Sequence, residues 1–264
     1  MSVGVAKVAA DLVAEQDALD AAISGLDDET WSKPTASPRW SIADQIGHLA
    51  YFDHTATLAI ADPDGFRSEM TRLLEHFGDD RAVDEFTLGA FRHMSPTTLL
   101  TRWRTNRDTL AAAATSLDDD TRVVWYGPSM GAKSFLTARL MECWAHGQDV
   151  IDAAGVQRPS TDRLAHIVRL GVITRGWSYT NRGLEAPDVP VFLKLRSPSG
   201  AEWVFGDDTA SESIVGPAED FCMVVTQRRH VDDTVLTVSG EAARDWMLKA
   251  QVFAGPPMNG PPAS

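Results

Sequence analysis

The segment Glu142-Cys143-Trp144-Ala145-His146 sets a carboxylate and an imidazole four residues apart. On a helix that spacing puts the two one turn apart on nearly the same face, within reach of one cation. Imidazole nitrogen and carboxylate oxygen are natural zinc ligands at about 2.0–2.2 Å. The plainer reading of such a pair is an intrahelical hydrogen bond. A second imidazole, His48, lies in Ile46-Gly47-His48-Leu49-Ala50-Tyr51 among apolar residues, where a lone histidine is ordinarily a satisfied core residue. Gly47 beside it lets a neighbouring helix come close, and Asp44 or Asp53 could orient a histidine ring from behind. Two histidines and one carboxylate from two helices would leave coordination positions open for water or substrate. That is the pattern of a catalytic metal site, not of a closed structural one.

The other reactive side chains lack such company. His54 is six positions after His48, about 120° around a helix, and should not share the ion. His76, His93, His166 and His230 have no partner at metal spacing. Cys143 follows Glu142 and points to another face, so it reads as a packing residue. Asp118-Asp119-Asp120 reads as a solvated turn, and Trp103, Trp144 and Trp177 as core. Arg228 follows an apolar helix and suits a helix C-terminus, where cations are favoured. The chain contains no Gly-rich phosphate loop, Gly-x-Ser-x-Gly elbow or Cys-x-x-Cys pair.

The elements that must carry these residues follow from periodicity. Val5, Val8, Leu12, Val13, Leu19, Ile23 and Leu26 recur at helical intervals over 3–25, with Lys7, Asp11, Glu15 and Asp17 on the polar side. A loop from Trp31 to Trp40 leads to Ser41, an N-cap with Asp44 three residues on, and a second helix bearing His48 that ends at Asp62-Pro63. Two shorter helices surround Gly78-Asp79-Asp80. A third long helix opens at Ser95-Pro96 and runs to about Leu117. After a turn-rich link over 118–131, a fourth covers about 133–154 and closes at Gly155. Four long helices with crossing links suit a bundle. Beyond Pro159 one more helix, about 161–184, is expected, then strand-like runs at 189–195, 202–205, 214–215 and 235–238, with helices near 217–227 and 240–254. The expected organisation is a four-helix bundle over 1–158, a smaller C-terminal α+β domain over 159–254, and a loose Pro/Gly-rich tail over 255–264.

Bulk composition limits the partners. The 264 residues carry a formal net charge of -13, with 44% hydrophobic and 23% charged residues. So acidic a chain has no electrostatic reason to bind nucleic acid or an anionic membrane. Two distant cysteines make no disulfide framework and fit a reducing compartment. Met1 to Asp20 does not read as a signal peptide, and no window reads as a membrane span. The expected setting is the cytoplasm. The expected partners are small molecules, and a homodimer is compatible with the sequence.

Trp40-Ser41-Ile42-Ala43-Asp44-Gln45-Ile46-Gly47-His48-Leu49 resembles the helix-2 signature of the DinB/YfiT-like metal-binding four-helix-bundle superfamily. Glu142 and His146 match the second and third ligands of its mycothiol-dependent maleylpyruvate isomerase-like branch. The resemblance therefore implies a DinB-like bundle holding a divalent metal, zinc foremost, on His48, Glu142 and His146. It also implies a low-molecular-weight thiol, mycothiol, as cofactor. In that branch the thiol adds to an activated double bond, allows rotation and leaves. The second half is similar to the family's C-terminal segment at 220–228 and 238–241. By position Arg228 is then the substrate-binding arginine, although Gln227 stands where the family has glycine, and Arg229-His230 follows. The function implied is a metal- and thiol-dependent isomerase or S-transferase acting on a small electrophilic acid. The alternatives are a thiol-independent metal-assisted hydrolase and a non-catalytic metal-binding or scaffold protein of the same fold.

Overall fold

A computed structural model describes residues 4–127 and 129–264, so the expected first-helix start at residue 3 and Pro128 in the turn-rich link lie outside the described residues. The chain divides into two compact units after Arg158. The first begins with α1 (Val5–Ile23), a short α2 (Asp28–Trp31) and α3 (Ile42–Ala61). It continues through α4 (Pro63–Leu74), α5 (Asp80–Arg92) and α6 (Pro96–Ala114). A small antiparallel pair, β1 (Arg122–Val123) and β2 (Met130–Gly131), then leads into α7 (Ala132–Ala154).

Local chemistry fixes the ends of the helices that matter for the site. Ser41 and Asp44 form a complete capping box at the start of α3. Asp62 ends α3 and caps α4, whose first residue is Pro63. Ser95 caps α6, where Pro96 occupies the first turn at no cost in hydrogen bonds. The α7 helix stops at Gly155, whose φ of 69° lies in the left-handed region open to glycine. Helix α3 packs on α6 and α7, and α1 packs on the same two, which makes α1, α3, α6 and α7 the bundle. Leu19, Ile23, Ile42, Ile46, Leu49, Trp103, Phe135 and Leu140 are fully buried among them. Each such aliphatic side chain contributes about 1.5–3 kcal/mol by leaving water.

The polar side of α1 departs from expectation. Glu15 is buried and pairs with Arg158 at 3.0 Å, and Asp20 is buried against Arg104 and Arg107 at 2.6 and 2.8 Å. The bundle flanks α1 on more than its apolar stripe, so these carboxylates are enclosed and matched by arginines.

The second unit opens with α8 (Leu164–Ile173) and α9 (Arg175–Thr180), not the single helix expected over 161–184. The break falls at Thr174 (φ -93°, ψ 9°), whose hydroxyl donates to the Leu170 carbonyl at 2.7 Å. There follow β3 (Val191–Arg196), β4 (Glu202–Phe205), β5 (Glu212–Pro217), α10 (Ala218–Val225), β6 (Thr237–Ser239) and α11 (Glu241–Lys249). The sheet order is β4-β3-β5-β6, with β3 and β5 parallel and the outer pairs antiparallel. Leu193, Leu195 and Ile214 point to its buried face, and α10 and α11 pack against β5. Trp177, expected in the core, is 42% exposed.

The terminal residues form no regular element, and hydrogen bonds connect several of them to the second unit. The Met258 carbonyl accepts from Gln227 Nε2 at 2.7 Å, and its N–H donates to Gln251 Oε1 at 3.1 Å. Arg182 also donates to the Met258 carbonyl, and Asn181 donates to that of Gly255. Side-chain amides of Asn181, Gln227 and Gln251 thus supply partners that a Pro/Gly-rich composition does not reveal.

Candidate metal centre

Packing of α3 on α7 brings His48 to the Glu142–His146 pair. Glu142 Oε2 lies 3.0 Å from His146 Nε2 and 3.8 Å from His48 Nε2. One donor atom from each residue lies within 4.8 Å of the other two, the one such histidine, cysteine or carboxylate cluster among the described residues. Tetrahedral zinc with ligands at about 2.1 Å separates them by about 3.4 Å. The two Glu142 separations bracket that value and all three donors lie within 4.8 Å of one another, a donor set that fits a zinc-sized ion once the side chains close on it.

The carboxylate of the cluster is strongly favoured in its ionised form. Burial pushes the Glu142 carboxyl up, but hydrogen bonding and charge from His146 and His48 outweigh it and hold the group well below the usual carboxylate range. The three side chains remain 15%, 24% and 12% exposed for His48, Glu142 and His146. The two imidazole rings lie 4.2 Å apart. Trp40 sits 4.9 Å from His48 and 5.8 Å from His146, and Phe52 sits 4.6 Å from His48. Trp40 is itself held by its indole N–H on Asp84 at 3.0 Å. Gly47 does what its size suggests: a Cβ there would meet Phe91 Cβ of α5 at 3.2 Å.

The groups behind the ligands are not the expected ones. Asp44 is engaged by the Ser41 backbone and by Arg92 at 2.7 Å. Asp53 is buried with Arg139 at 3.0 Å, Gln16 at 3.0 Å and the Trp103 indole at 3.2 Å. Burial pushes the Asp53 carboxyl up, and Arg139 pulls against it. Instead, His146 Nδ1 contacts Gln45 Oε1 at 2.7 Å, and Asp149 Oδ2 lies 3.9 Å from the same nitrogen. A polar residue three positions before His48, and another three after His146, was the available sequence signal for these partners.

The remaining candidates fall into place individually. His54 is exposed on α3. Cys143 is buried, and burial together with Glu15 and Asp53 pushes its thiol far up, which suits packing and not nucleophilic attack. Arg228 belongs to the second unit, where its Nη1 donates to the Thr226 carbonyl at 2.8 Å just past α10. That is the posture of a cation at a helix C-terminus.

Residues 12–151 match the family described as the mycothiol maleylpyruvate isomerase N-terminal domain, over more than half of the chain. The chain belongs to that family. Both segments that carry the candidate donors, on α3 and α7, lie inside the matched span. Two uncharacterized proteins of Mycobacterium tuberculosis, from strains CDC 1551 / Oshkosh and ATCC 25618 / H37Rv, are each 44% identical over 254 residues. Those alignments cover 95% of this chain and 96% of the relative. Among solved structures, mycothiol-dependent maleylpyruvate isomerase superposes with a TM-score of 0.57 at 15% identity, covering 90% of this chain and 93% of the other. A histidine-to-alanine mutant of that enzyme gives 0.58 at 14% identity, covering 89% and 93%. At that identity the likeness is one of fold: a helical bundle followed by a small α+β domain, over nearly the whole of both chains. No helix among the described residues is long and apolar enough to cross a membrane.

Proposed function

We propose that the chain is a metal- and mycothiol-dependent isomerase or S-transferase acting on a small electrophilic acid, with the metal on His48, Glu142 and His146. The observation that carries this reading is the convergence of those three donors, within 4.8 Å, inside the span matched to the isomerase family. A zinc ion held there would act as a Lewis acid, lowering the pKa of a thiol or water so that a nucleophile exists at neutral pH.

The chain's own residues have separable tasks. Glu142 and the histidine pair would hold the ion from two helices whose spacing is set by core packing, so the donors are in place before binding. Partial exposure of all three leaves room for an incoming group. Trp40 and Phe52 flank the imidazoles with apolar rings, which lowers the local polarity and strengthens charge interactions at the donors. Arg228 would grip a carboxylate of the acid substrate through its planar fork.

Calorimetric titration of zinc-loaded protein with mycothiol, together with turnover of maleylpyruvate and of general electrophiles with and without the thiol, tests the reading. Binding and thiol-dependent turnover are expected. Absence of both would reject it, and formation of hydrolysed products without thiol would favour the metal-assisted hydrolase. Arg228→Lys keeps the charge but loses the fork, and should raise KM for an acidic substrate roughly tenfold with zinc content unchanged. An unchanged KM would remove Arg228 from the substrate site.

A further inference from the structure

We propose that Gln45 is a positioning residue for the metal centre: with its amide orientation locked by Asp149, it keeps the proton of His146 on Nδ1 and so presents Nε2 as the donor. The proposal rests on the metal reading above and extends it to residues behind the ligands.

Gln45 is fully buried on α3, three residues before His48. Its Nε2 faces three oxygens: Thr35 Oγ1 at 2.9 Å, Ser37 Oγ at 3.0 Å and Asp149 Oδ2 at 3.3 Å. Both hydroxyls have already spent their protons. Thr35 Oγ1 donates to the Trp40 carbonyl at 3.0 Å, and Ser37 Oγ donates to Asp149 Oδ2 at 3.2 Å. All three oxygens are therefore acceptors toward the glutamine, so the amide nitrogen must be the atom that faces them. Reversing the amide would set Oε1 against these acceptor oxygens in a buried site, with no proton between them.

The amide oxygen is thereby left to face His146 Nδ1, at 2.7 Å. A carbonyl oxygen can only accept, so Nδ1 carries a hydrogen, and Nε2, 3.0 Å from Glu142 Oε2, is the nitrogen left to give its lone pair to an ion in place of that hydrogen bond. The order of control is Asp149, then Gln45, then His146. It joins the loop before α3, α3 itself and α7, the segments that must stay in register for the three donors to converge. A purely structural reading treats the same network as a polar tie between that loop and the bundle. The two readings differ in what happens to metal affinity when the network is rewired without being removed.

The test measures zinc affinity of the full chain by competition with a chromophoric chelator, and the visible absorption of the cobalt-substituted protein. The proteins are the wild type, Gln45→Leu, Asp149→Asn and the double variant Gln45→Glu/Asp149→Asn. Thermal unfolding of the metal-free forms runs alongside. Gln45→Leu and Asp149→Asn should each weaken zinc binding by about 10–100-fold, with an altered cobalt spectrum. The double variant should recover most of the affinity. In it, a carboxylate at position 45 accepts from His146 Nδ1, and an amide at position 149 donates to that carboxylate. Single variants that bind zinc as tightly as wild type would overturn the assignment, whatever their unfolding temperature. So would a double variant no tighter than Asp149→Asn. If Gln45→Leu does not fold, Asp149→Asn and the double variant decide the matter. A wild type that binds no zinc would overturn the metal reading, and this assignment with it.

Discussion

Gln227 sits just past α10 with φ 59°, in the left-handed region where a side chain costs about 1–2 kcal/mol. Its own N–H reaches the Val224 carbonyl and that of Arg228 reaches Met223, a Schellman closure that ordinarily takes glycine. This accounts for the glycine that the resembled family carries at the position. Here the cost is offset by Nε2, which donates to the carbonyls of Ala250 and Met258 at 2.9 and 2.7 Å. Gln227→Ala loses both bonds and keeps the strain, so it should lower stability by about 1–3 kcal/mol. Gln227→Gly should be more stable than the alanine variant by roughly 1 kcal/mol. Equal denaturant midpoints for the two variants would contradict this account of the backbone. At this scale the three candidate donors were legible because their types and their helical spacing declare a chemistry. Gln45 and Asp149 were not, since nothing in a sequence says which buried amide will meet which ring nitrogen across 101 residues. Asp44 and Asp53 were equally plausible by spacing, and arginines from elsewhere in the chain claimed them.

Among the elements, the long helices of the first unit were readable from apolar spacing together with their caps at Ser41, Ser95 and Gly155. What periodicity misses is enclosure. Asp20 faces an arginine pair on α6, and although burial pushes its carboxyl up, the bonds and charges of Arg104, Ser24 and Arg107 outweigh that and lower it. A folded value below the unfolded one, about 3.9, means the stabilisation is fully present above that pH. It is lost as pH falls through the lower folded value. Asp20→Asn should therefore be less stable than wild type at pH 7, by roughly 1–3 kcal/mol, and the gap should close at more acid pH. A gap that persists or widens on acidification would show that Asp20 acts by packing instead. The break at Thr174 was hidden because Ile167 to Ile173 and Trp177 continue a helical pattern, and only a side-chain bond back to Leu170 reveals the stop. The parallel pairing of β3 with β5 is likewise non-local and has no signature in either strand.

For the molecule as a whole, the metal is expected to be a folding ligand of the first unit as well as a chemical one. The three candidate donors come from residues 48 and 142–146, so an ion bound there would close a loop spanning α3 to α7. A ligand that binds only the folded state stabilises by about 2.7 kcal/mol at a free concentration 100 times its Kd. Zinc should therefore raise the unfolding temperature of the wild type, and should leave that of Glu142→Ala unmoved. An equal rise in both would place the zinc elsewhere.

The central claim is most directly tested by elemental analysis of the purified full chain after zinc loading and removal of loosely held metal. One zinc per chain is expected in the wild type and in His54→Ala, and little or none in His48→Ala, Glu142→Ala and His146→Ala. Full occupancy in His48→Ala would remove α3 from the centre, and a wild type without zinc would contradict the account at its root.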